Sequence, residues 1–198
     1  MKKISKSDIK SIYQREINCL NDGVINISNP YHFFCLSTIN GKNASSRTVV
    51  LRRVDKNPFS LYFNADYRSP KVEQLLANNS CTALFYDNKR KMQLRVFCES
   101  IINYKNNLSS QVWDKTPLQS RKCYMGKYSP SKSIEKWHPN VPRKYLKKDP
   151  DKKDSELGYE NFTVIKLNVI STDILELHHD GHIRYKVDLD GKFIFLAP

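Results

Sequence analysis

The fold is decided by the stretch CTALFYDNKRKMQLRVFCESIINY, residues 81–104. Its two ends, 81–87 and 92–104, are rich in β-branched and aromatic residues, and the polar residues 88–91 between them are typical of a turn. In the second run Gln93 and Arg95 alternate with apolar residues, as they would on a strand with one buried face. The stretch therefore predicts two antiparallel strands joined by a short turn.

Similar strand-like runs lie on both sides of this pair, at 32–40, 45–55, 59–66, 161–178 and 182–198. Turn signals separate several of them, such as Asn57-Pro58 and Asp190-Gly191. Helical spacing or capping residues mark only three segments, at 5–22, 69–79 and 108–116. Many short strands with few helices predict a mainly β protein with peripheral helices. We expect a closed or half-closed antiparallel barrel in a single domain, 1–198.

Positive charge is concentrated in one part of the chain. The 198 residues contain 33 Lys+Arg and 20 Asp+Glu, a net charge of +13, of which residues 121–154 carry +7. Four prolines in that segment interrupt helix and strand alike, so we predict a basic, partly mobile loop inserted at about 121–156. It is either a solvated insertion or an electrostatic arm for nucleic acid or an anionic substrate. Aromatic residues among the lysines keep the second interpretation open.

Several classes of protein are excluded by composition. No apolar run is long enough to cross a bilayer, and the basic N-terminus lacks the apolar core of a secretory signal. Five scattered cysteines, none in a CxxC pair, indicate reduced thiols and a cytoplasmic protein. The histidines near residue 180 lack the spacing of a metal site. With only six glycines, a Gly-rich phosphate loop is also excluded.

Basic residues recur where the predicted strands end. Arg47 and Arg52 flank the apolar run TVVL, and Arg68, Ser69 and Lys71 lie where a strand turns into a helix. Free N–H groups at a helix start, beside Arg and Lys, form a natural phosphate site. Taken together, these residues predict an anion cradle.

The same residues carry a family resemblance. RTVVLR (47–52), FNADYRSPK (63–71), MQLRV (92–96) and the C-terminal 182–198 resemble the pyridoxamine 5′-phosphate oxidase-like flavoproteins. The resemblance implies an FMN-binding split β-barrel that works as a homodimer, with FMN at the subunit interface. The cofactor-binding residues that it implies are Arg47, Thr48, Val49, Val50, Leu51, Arg52, Asn64, Ala65, Arg68, Ser69, Lys71, Gln93 and Arg184. It also implies substrate contacts from Arg52, Trp113, Ser120 and His182, with His182 as the local acid or base.

The chain departs from the family mainly in its substrate half. Ser69-Pro70-Lys71 stands where these oxidases have Ser-Arg-Lys, so Arg68 is expected to take the arginine's role. Asp180 stands where the first arginine of a substrate-gripping string is expected, and Leu177 where a tryptophan is expected. FMN binding is therefore the better preserved half of the resemblance.

Three functions follow. The first is an FMN-dependent oxidoreductase that oxidises pyridoxamine or pyridoxine 5′-phosphate to pyridoxal 5′-phosphate with O2. The second is a related FMN-binding protein: a flavin or haem-linked reductase, or one that binds FMN without vitamin B6 oxidase activity. The third is a flavin-free nucleic-acid-binding barrel that uses the basic loop. Because the basic residues outside that loop match a cofactor site, we expect a phosphorylated small molecule as partner rather than nucleic acid or a membrane.

Overall fold

The computed structural model describes residues 4–198, and antiparallel strands dominate it. The longer helices are α1 (Lys6–Ile25), α2 (Pro70–Ala77) and α3 (Asn107–Lys115). The strands are β1 (Phe33–Asn40), β2 (Asn43–Val50), β3 (Arg53–Lys56), β4 (Phe59–Asp66), β5 (Ser80–Asp87), β6 (Met92–Tyr104), β7 (Phe162–Glu176), β8 (Ile183–Asp188) and β9 (Phe193–Phe195). They form one sheet in the order β2-β1-β5-β6-β7-β4-β3, to which β8 adds beside β7 and β9 beside β8. The predicted mainly β fold with peripheral helices is confirmed.

The predicted strand over 45–55 was wrong in one respect, because two strands occupy this run. β2 pairs with β1, but at Leu51 and Arg52 the chain changes partner. The Leu51 N–H donates to the His32 carbonyl at 2.9 Å, whereas the Arg52 N–H donates to Tyr62 in β4 at 2.8 Å. Leu51 and Arg52 therefore connect β2 and β3, the first and last strands of the sheet order, and form a corner of the split barrel.

Two compact units make up the described chain, and their segments alternate along the sequence. The first unit contains the described residues up to Phe63, with Asn78–Ile101 and Lys166–Pro198. The second contains Asn64–Ala77 and Ile102–Ile165. The single domain expected from the sequence stays a prediction.

In the first unit, α1 covers one edge of the sheet's buried side. A capping box of Ser5 and Asp8 begins the helix, and its apolar face buries Ile9, Ile17 and Leu20. The buried face of α1 also carries a carboxylate. Glu16 is fully buried and accepts hydrogen bonds from Tyr31 Oη at 2.7 Å and Arg90 at 2.6 Å. Sequence reasoning did not foresee this polar contact within the core.

The second unit contains the basic insertion. Residues 121–156, all of which the structure describes, form no strand, only short helical turns that include Arg143–Tyr145 and α5 (Lys152–Ser155), which follows the four-residue α4 (Leu118–Arg121). Arg121 is buried, stacks on the Trp113 ring at 4.5 Å and pairs with Glu156 at 2.7 Å. The insertion is therefore anchored at its start by a cation–π contact and an ion pair.

None of the helices within residues 4–198 is long and apolar enough to span a membrane.

Candidate functional site

The outward face of the sheet in the first unit holds several predicted site residues. Residues directly opposite in antiparallel strands share a face, and the register aligns Thr48, Cys35, Leu84 and Arg95 in one row across β2, β1, β5 and β6. Gln93 lies one step along β6 on the same face, opposite the exposed ring of Tyr86. The predicted flavin contacts Thr48 and Gln93 therefore share one surface.

An ion-pair cluster lies on this face where β6, β7 and β8 meet. Asp173 of β7 is only 4% exposed and accepts hydrogen bonds from Arg95 of β6 and Arg184 of β8. Burial by itself would raise the pKa of Asp173, but the hydrogen bonds from Arg184 and Arg95 outweigh it and lower that pKa. One carboxylate therefore faces two guanidinium groups, and a net positive charge remains.

Arg47 lies on the opposite side of β2 from Thr48. It pairs with the buried Leu36 and donates to the Thr38 hydroxyl at 2.6 Å and to the Ser45 hydroxyl at 2.7 Å. Burial lowers the pKa of the Arg47 guanidinium. Since side chains alternate along a strand, Val49 shares the side of Arg47 and Val50 the side of Thr48. The run 47–52 cannot present all six side chains to one ligand.

Leu51 and Arg52 contribute differently at the corner after β2. Leu51 is fully buried, so its side chain belongs to the core and its backbone bonds position the corner. Arg52 is exposed, and among the described residues its guanidinium has no hydrogen-bond or ion-pair partner. Arg52 is therefore available to an anionic ligand.

In the second unit, the turn from β4 into α2 forms a tight polar cluster. Arg68 donates Nε and Nη2 to the two oxygens of Asp66, at 3.0 and 2.7 Å, and Nη1 to the Gly126 carbonyl at 3.1 Å. The hydrogen bond to Asp66 raises the pKa of Arg68. Ser69 is buried, donates to the Asp66 carbonyl at 2.6 Å and accepts from Lys71 Nζ at 3.3 Å. Arg68, Ser69 and Lys71 are thus brought together, as the sequence predicted.

Asp66 changes the electrostatics of that turn. Its carboxylate is bound to Arg68 in a fork and compensates that charge. Sequence reasoning missed Asp66, although its spacing of two residues from Arg68 was a visible signal. Just before it, Ala65 is buried, and Asn64 Oδ1 is buried without a hydrogen-bond partner within residues 4–198.

The two predicted substrate residues of the second unit, Trp113 and Ser120, have different surroundings. Trp113 is only 2% exposed; its indole N–H donates to Glu156 at 3.0 Å and its ring packs on Phe162 and Arg121. As placed, Trp113 anchors the basic insertion, a structural role that the sequence did not indicate. Ser120 is half-buried in the four-residue helix α4. Substrate contact by either residue stays a prediction.

His182 lies in the exposed turn between β7 and β8. Its Nδ1 accepts a hydrogen bond from the His178 N–H at 3.2 Å, which favours the tautomer with the proton on Nε2. Asp180 is exposed in the same turn, and Gly181 beside it has a φ of +121°. His182 lies two positions before Arg184 in the chain. Its acid–base role stays a prediction.

Comparisons with known proteins agree with this geometry. Residues 15–102 match the family model described as pyridoxamine 5′-phosphate oxidase, FMN-binding domain. The match includes the run 47–52, the turn from β4 into α2 and Gln93. No curated protein matches the chain in sequence.

Solved structures share the fold at low sequence identity. A pyridoxamine 5′-phosphate oxidase-related, FMN-binding protein from Nostoc punctiforme superposes with a TM-score of 0.66 at 17% identity, over 98% of this chain and 96% of its own. PhzG from Burkholderia lata, in complex with tetrahydrophenazine-1-carboxylic acid, gives 0.68 at 16% identity, over 96% and 92%. A general stress protein 26-related protein from Clostridium acetobutylicum gives 0.55 at 11% identity, over 93% and 97%. The resemblance drawn from the sequence is therefore confirmed: through residues 15–102 and through its fold, the chain is similar to the FMN-binding split-barrel proteins of the pyridoxamine 5′-phosphate oxidase family.

Proposed function

We propose that this protein binds FMN and acts as an FMN-dependent oxidoreductase. The observation that carries the proposal is the match of residues 15–102 to an FMN-binding domain, which includes Arg52, the turn from β4 into α2, and Gln93. When bound, FMN supplies a two-electron acceptor whose reduced form molecular oxygen can reoxidise. The protein supplies binding, orientation and charge.

The donor groups present in both units fit the chemistry of FMN. In the first unit, the exposed guanidinium of Arg52, which has no partner among the described residues, can bind a phosphate ester. Buried polar atoms normally have partners, yet Asn64 Oδ1 and Arg95 Nε have none within residues 4–198. A bound cofactor with hydrogen-bonding ring atoms and hydroxyl groups would satisfy such atoms.

The charged cluster around Asp173 gives the proposed site its electrostatic character. Arg95 and Arg184 share one carboxylate, so the face keeps a positive charge that would stabilise an anion bound there. His182, on its exposed turn, can exchange a proton with a substrate amine or hydroxyl. Gln93 offers one amide donor and one acceptor on the same face.

The first candidate substrate is pyridoxamine or pyridoxine 5′-phosphate. A related FMN-binding protein with another substrate is the second candidate, and Asp180 favours it, because a carboxylate would repel a substrate phosphate. PhzG, which has the same fold, was crystallised with tetrahydrophenazine-1-carboxylic acid, so this fold accommodates ligands other than vitamin B6 compounds.

We further propose a homodimer with FMN at its interface. The outward face of the first unit exposes large apolar side chains next to the polar residues described above: Phe33 is 50% exposed, Tyr86 44% and Phe97 36%. Exposed large apolar side chains on one sheet face are typical of an interface. A second copy of the chain would bury it.

FMN titration tests the first part of the proposal. We expect the flavin absorbance bands to shift and flavin fluorescence to change saturably at one FMN per chain. FMN that leaves both spectra unchanged would contradict FMN binding and with it the proposed oxidoreductase.

A turnover assay then separates the two candidate substrates. With bound FMN and air, oxidation of pyridoxamine 5′-phosphate consumes O2 and water and yields pyridoxal 5′-phosphate, ammonia and hydrogen peroxide in equal amounts. Asp180→Arg is expected to lower KM for this substrate about tenfold, because a charge-assisted bond to phosphate replaces repulsion. Asp190→Arg, the same charge change in the next exposed turn, is the control. Bound FMN without turnover in any of the three proteins would favour the second candidate.

A further inference from the structure

The basic insertion contains a built loop whose base, at Gly126, accepts a hydrogen bond from Arg68 in the turn before α2. Residues 126–140, here named the aromatic loop, are closed by Asn140, whose side chain accepts from the Tyr128 N–H at 2.9 Å and donates to the Tyr128 carbonyl at 2.8 Å. A Cβ at Gly126 would lie 2.5 Å from the Asn140 carbonyl oxygen, so only glycine fits at the base of the loop. The loop thus has a defined shape.

Aromatic rings and lysines alternate on this loop. The Tyr128 ring has Lys127 Nζ at 5.5 Å and Lys132 Nζ at 5.8 Å from its centroid, and the His138 ring meets it edge-on at 5.4 Å. Trp137 is 87% exposed, the highest value among the large hydrophobic side chains of the described residues. An open cavity of about 380 Å³ lies here, lined by Tyr128, Lys132, Ser133, Ile134, Glu135, Lys136, Trp137 and His138.

The positive charge of residues 121–154, which include this loop, is largely uncompensated. Of the eleven basic residues in 121–154, only Arg121, Lys122 and Lys144 form ion pairs with carboxylates in the part of the chain that the structure describes. The other eight are exposed: Lys127, Lys132, Lys136, Arg143, Lys147, Lys148, Lys152 and Lys153. A folded protein gains little stability from such a concentration of like charge, which instead attracts a polyanion.

We propose that the aromatic loop binds single-stranded nucleic acid, a function separate from the proposed FMN chemistry. The lysines contact the phosphates and Trp137 stacks on an unpaired base, which is the combination that sequence-tolerant single-strand binding uses. An acidic peptide would be attracted by the lysines, but it would leave the exposed indole ring of Trp137 without a stacking partner. A membrane surface would need a broader apolar face than one exposed indole and a half-exposed Ile134.

The two tryptophans make the proposal directly measurable. Trp113 is 2% exposed and Trp137 87%, so quenching of fluorescence by an added oligonucleotide reports on Trp137. The full chain is titrated with fluorescein-labelled oligo(dT) and oligo(rU) of equal length, and anisotropy is followed. Unlabelled oligomers quench the tryptophan emission in a parallel experiment.

A charge-matched pair of variants tests the location. Lys127→Glu/Lys132→Glu/Lys136→Glu is expected to weaken binding at least tenfold and to reduce the slope of log affinity against log salt by about 2, since each phosphate contact contributes about 0.7. Lys42→Glu/Lys89→Glu/Lys192→Glu changes the net charge equally at exposed turn positions elsewhere and is expected to keep most of the affinity. Trp137→Ala is expected to weaken binding about tenfold, the usual contribution of one stacked base.

Saturable binding of either oligomer with these effects supports the proposal. Equal losses in the two triple variants would overturn it, because binding would then reflect diffuse charge. Inorganic polyphosphate or phosphatidylserine vesicles that bind as tightly as the oligomers would also overturn it. FMN binding is read separately from flavin absorbance, so failure here leaves the proposed oxidoreductase untouched.

Discussion

At the scale of single residues, two neighbouring arginines differ in what they can do. Arg52 is exposed without a partner in the described chain, whereas Arg53 binds Asp55 at 2.8 Å and stacks on Tyr62. Arg52→Ala is therefore expected to weaken FMN binding about tenfold or more, the effect of losing one charge-assisted contact, with unchanged stability. Fluorescence titration measures the dissociation constant. Arg53→Ala is the control and should leave it within about twofold; equal losses would mean that Arg52 makes no specific contact.

Asp173 leads to a prediction about how the stability of the protein depends on pH. Its pKa is lowered in the folded chain by Arg184 and Arg95, so its contribution to the free energy of unfolding is complete above the unfolded value of about 4 and is lost as the pH falls below it. Asp173→Asn leaves two guanidinium groups without a carboxylate and should be less stable at pH 7. Urea unfolding between pH 7 and pH 3 is expected to show this difference shrinking in acid. A difference that stays constant over that range would contradict an ionised, paired Asp173.

At the scale of elements, α1 is attached to the sheet through a buried carboxylate. Glu16 accepts from Tyr31 and Arg90 with no exposed surface of its own. Glu16→Ala removes one partner of a buried pair, which typically costs about 3–5 kcal/mol. We expect a loss of that order in chemical unfolding. Gln14→Ala, at an exposed position on the same helix, should change stability by less than about 0.5 kcal/mol. A loss for Glu16→Ala as small as that of the control would show that the pair contributes nothing.

The sequence predicted the strands well because their signals are local. Alternation over 92–104 and turn residues at 88–91 identify β6 and its hairpin without reference to the rest of the chain. The break at Leu51 could not be seen in this way, since it follows from a change of partner from His32 to Tyr62. The same limit applies to the site: Arg95 and Asp173 are 78 residues apart, and only strand pairing brings them together.

Burial was the second property that the sequence did not reveal. Trp113 follows an amphipathic pattern on α3, which does not tell an exposed substrate contact from a core residue. The structure surrounds it with Arg121, Glu156 and Phe162, three residues outside its own helix. By contrast, the association of Arg68, Ser69 and Lys71 was predictable, because all three lie on one turn.

At the scale of the whole molecule, the charge of +13 has two distinct parts. Some of it belongs to predicted cofactor-binding residues, which Asp173 partly compensates in the first unit and Asp66 in the second. Much of the rest lies in residues 121–154, most of it unpaired and interleaved with aromatic rings. The net charge therefore has two sources, each proposed to bind phosphate groups: one those of a cofactor, the other those of a nucleic-acid polymer.

The proposed dimer gives the last prediction, because it makes cofactor binding depend on assembly. Phe97 lies on the outward face in the row of Ser46, Ser37 and Thr82, on the same β6 face as Gln93 and Arg95. A carboxylate placed there would be removed from water in the dimer, a cost that pairing with the nearby Arg95 does not repay, so Phe97→Asp should yield monomers. Light scattering is expected to give twice 23.1 kDa for the wild type and 23.1 kDa for the variant, with FMN binding weakened in parallel. Ile27→Asp, at an exposed apolar position outside the sheet, should remain dimeric. If Phe97→Asp is still dimeric and binds FMN normally, the dimer interface lies on another face and cofactor binding does not depend on this contact.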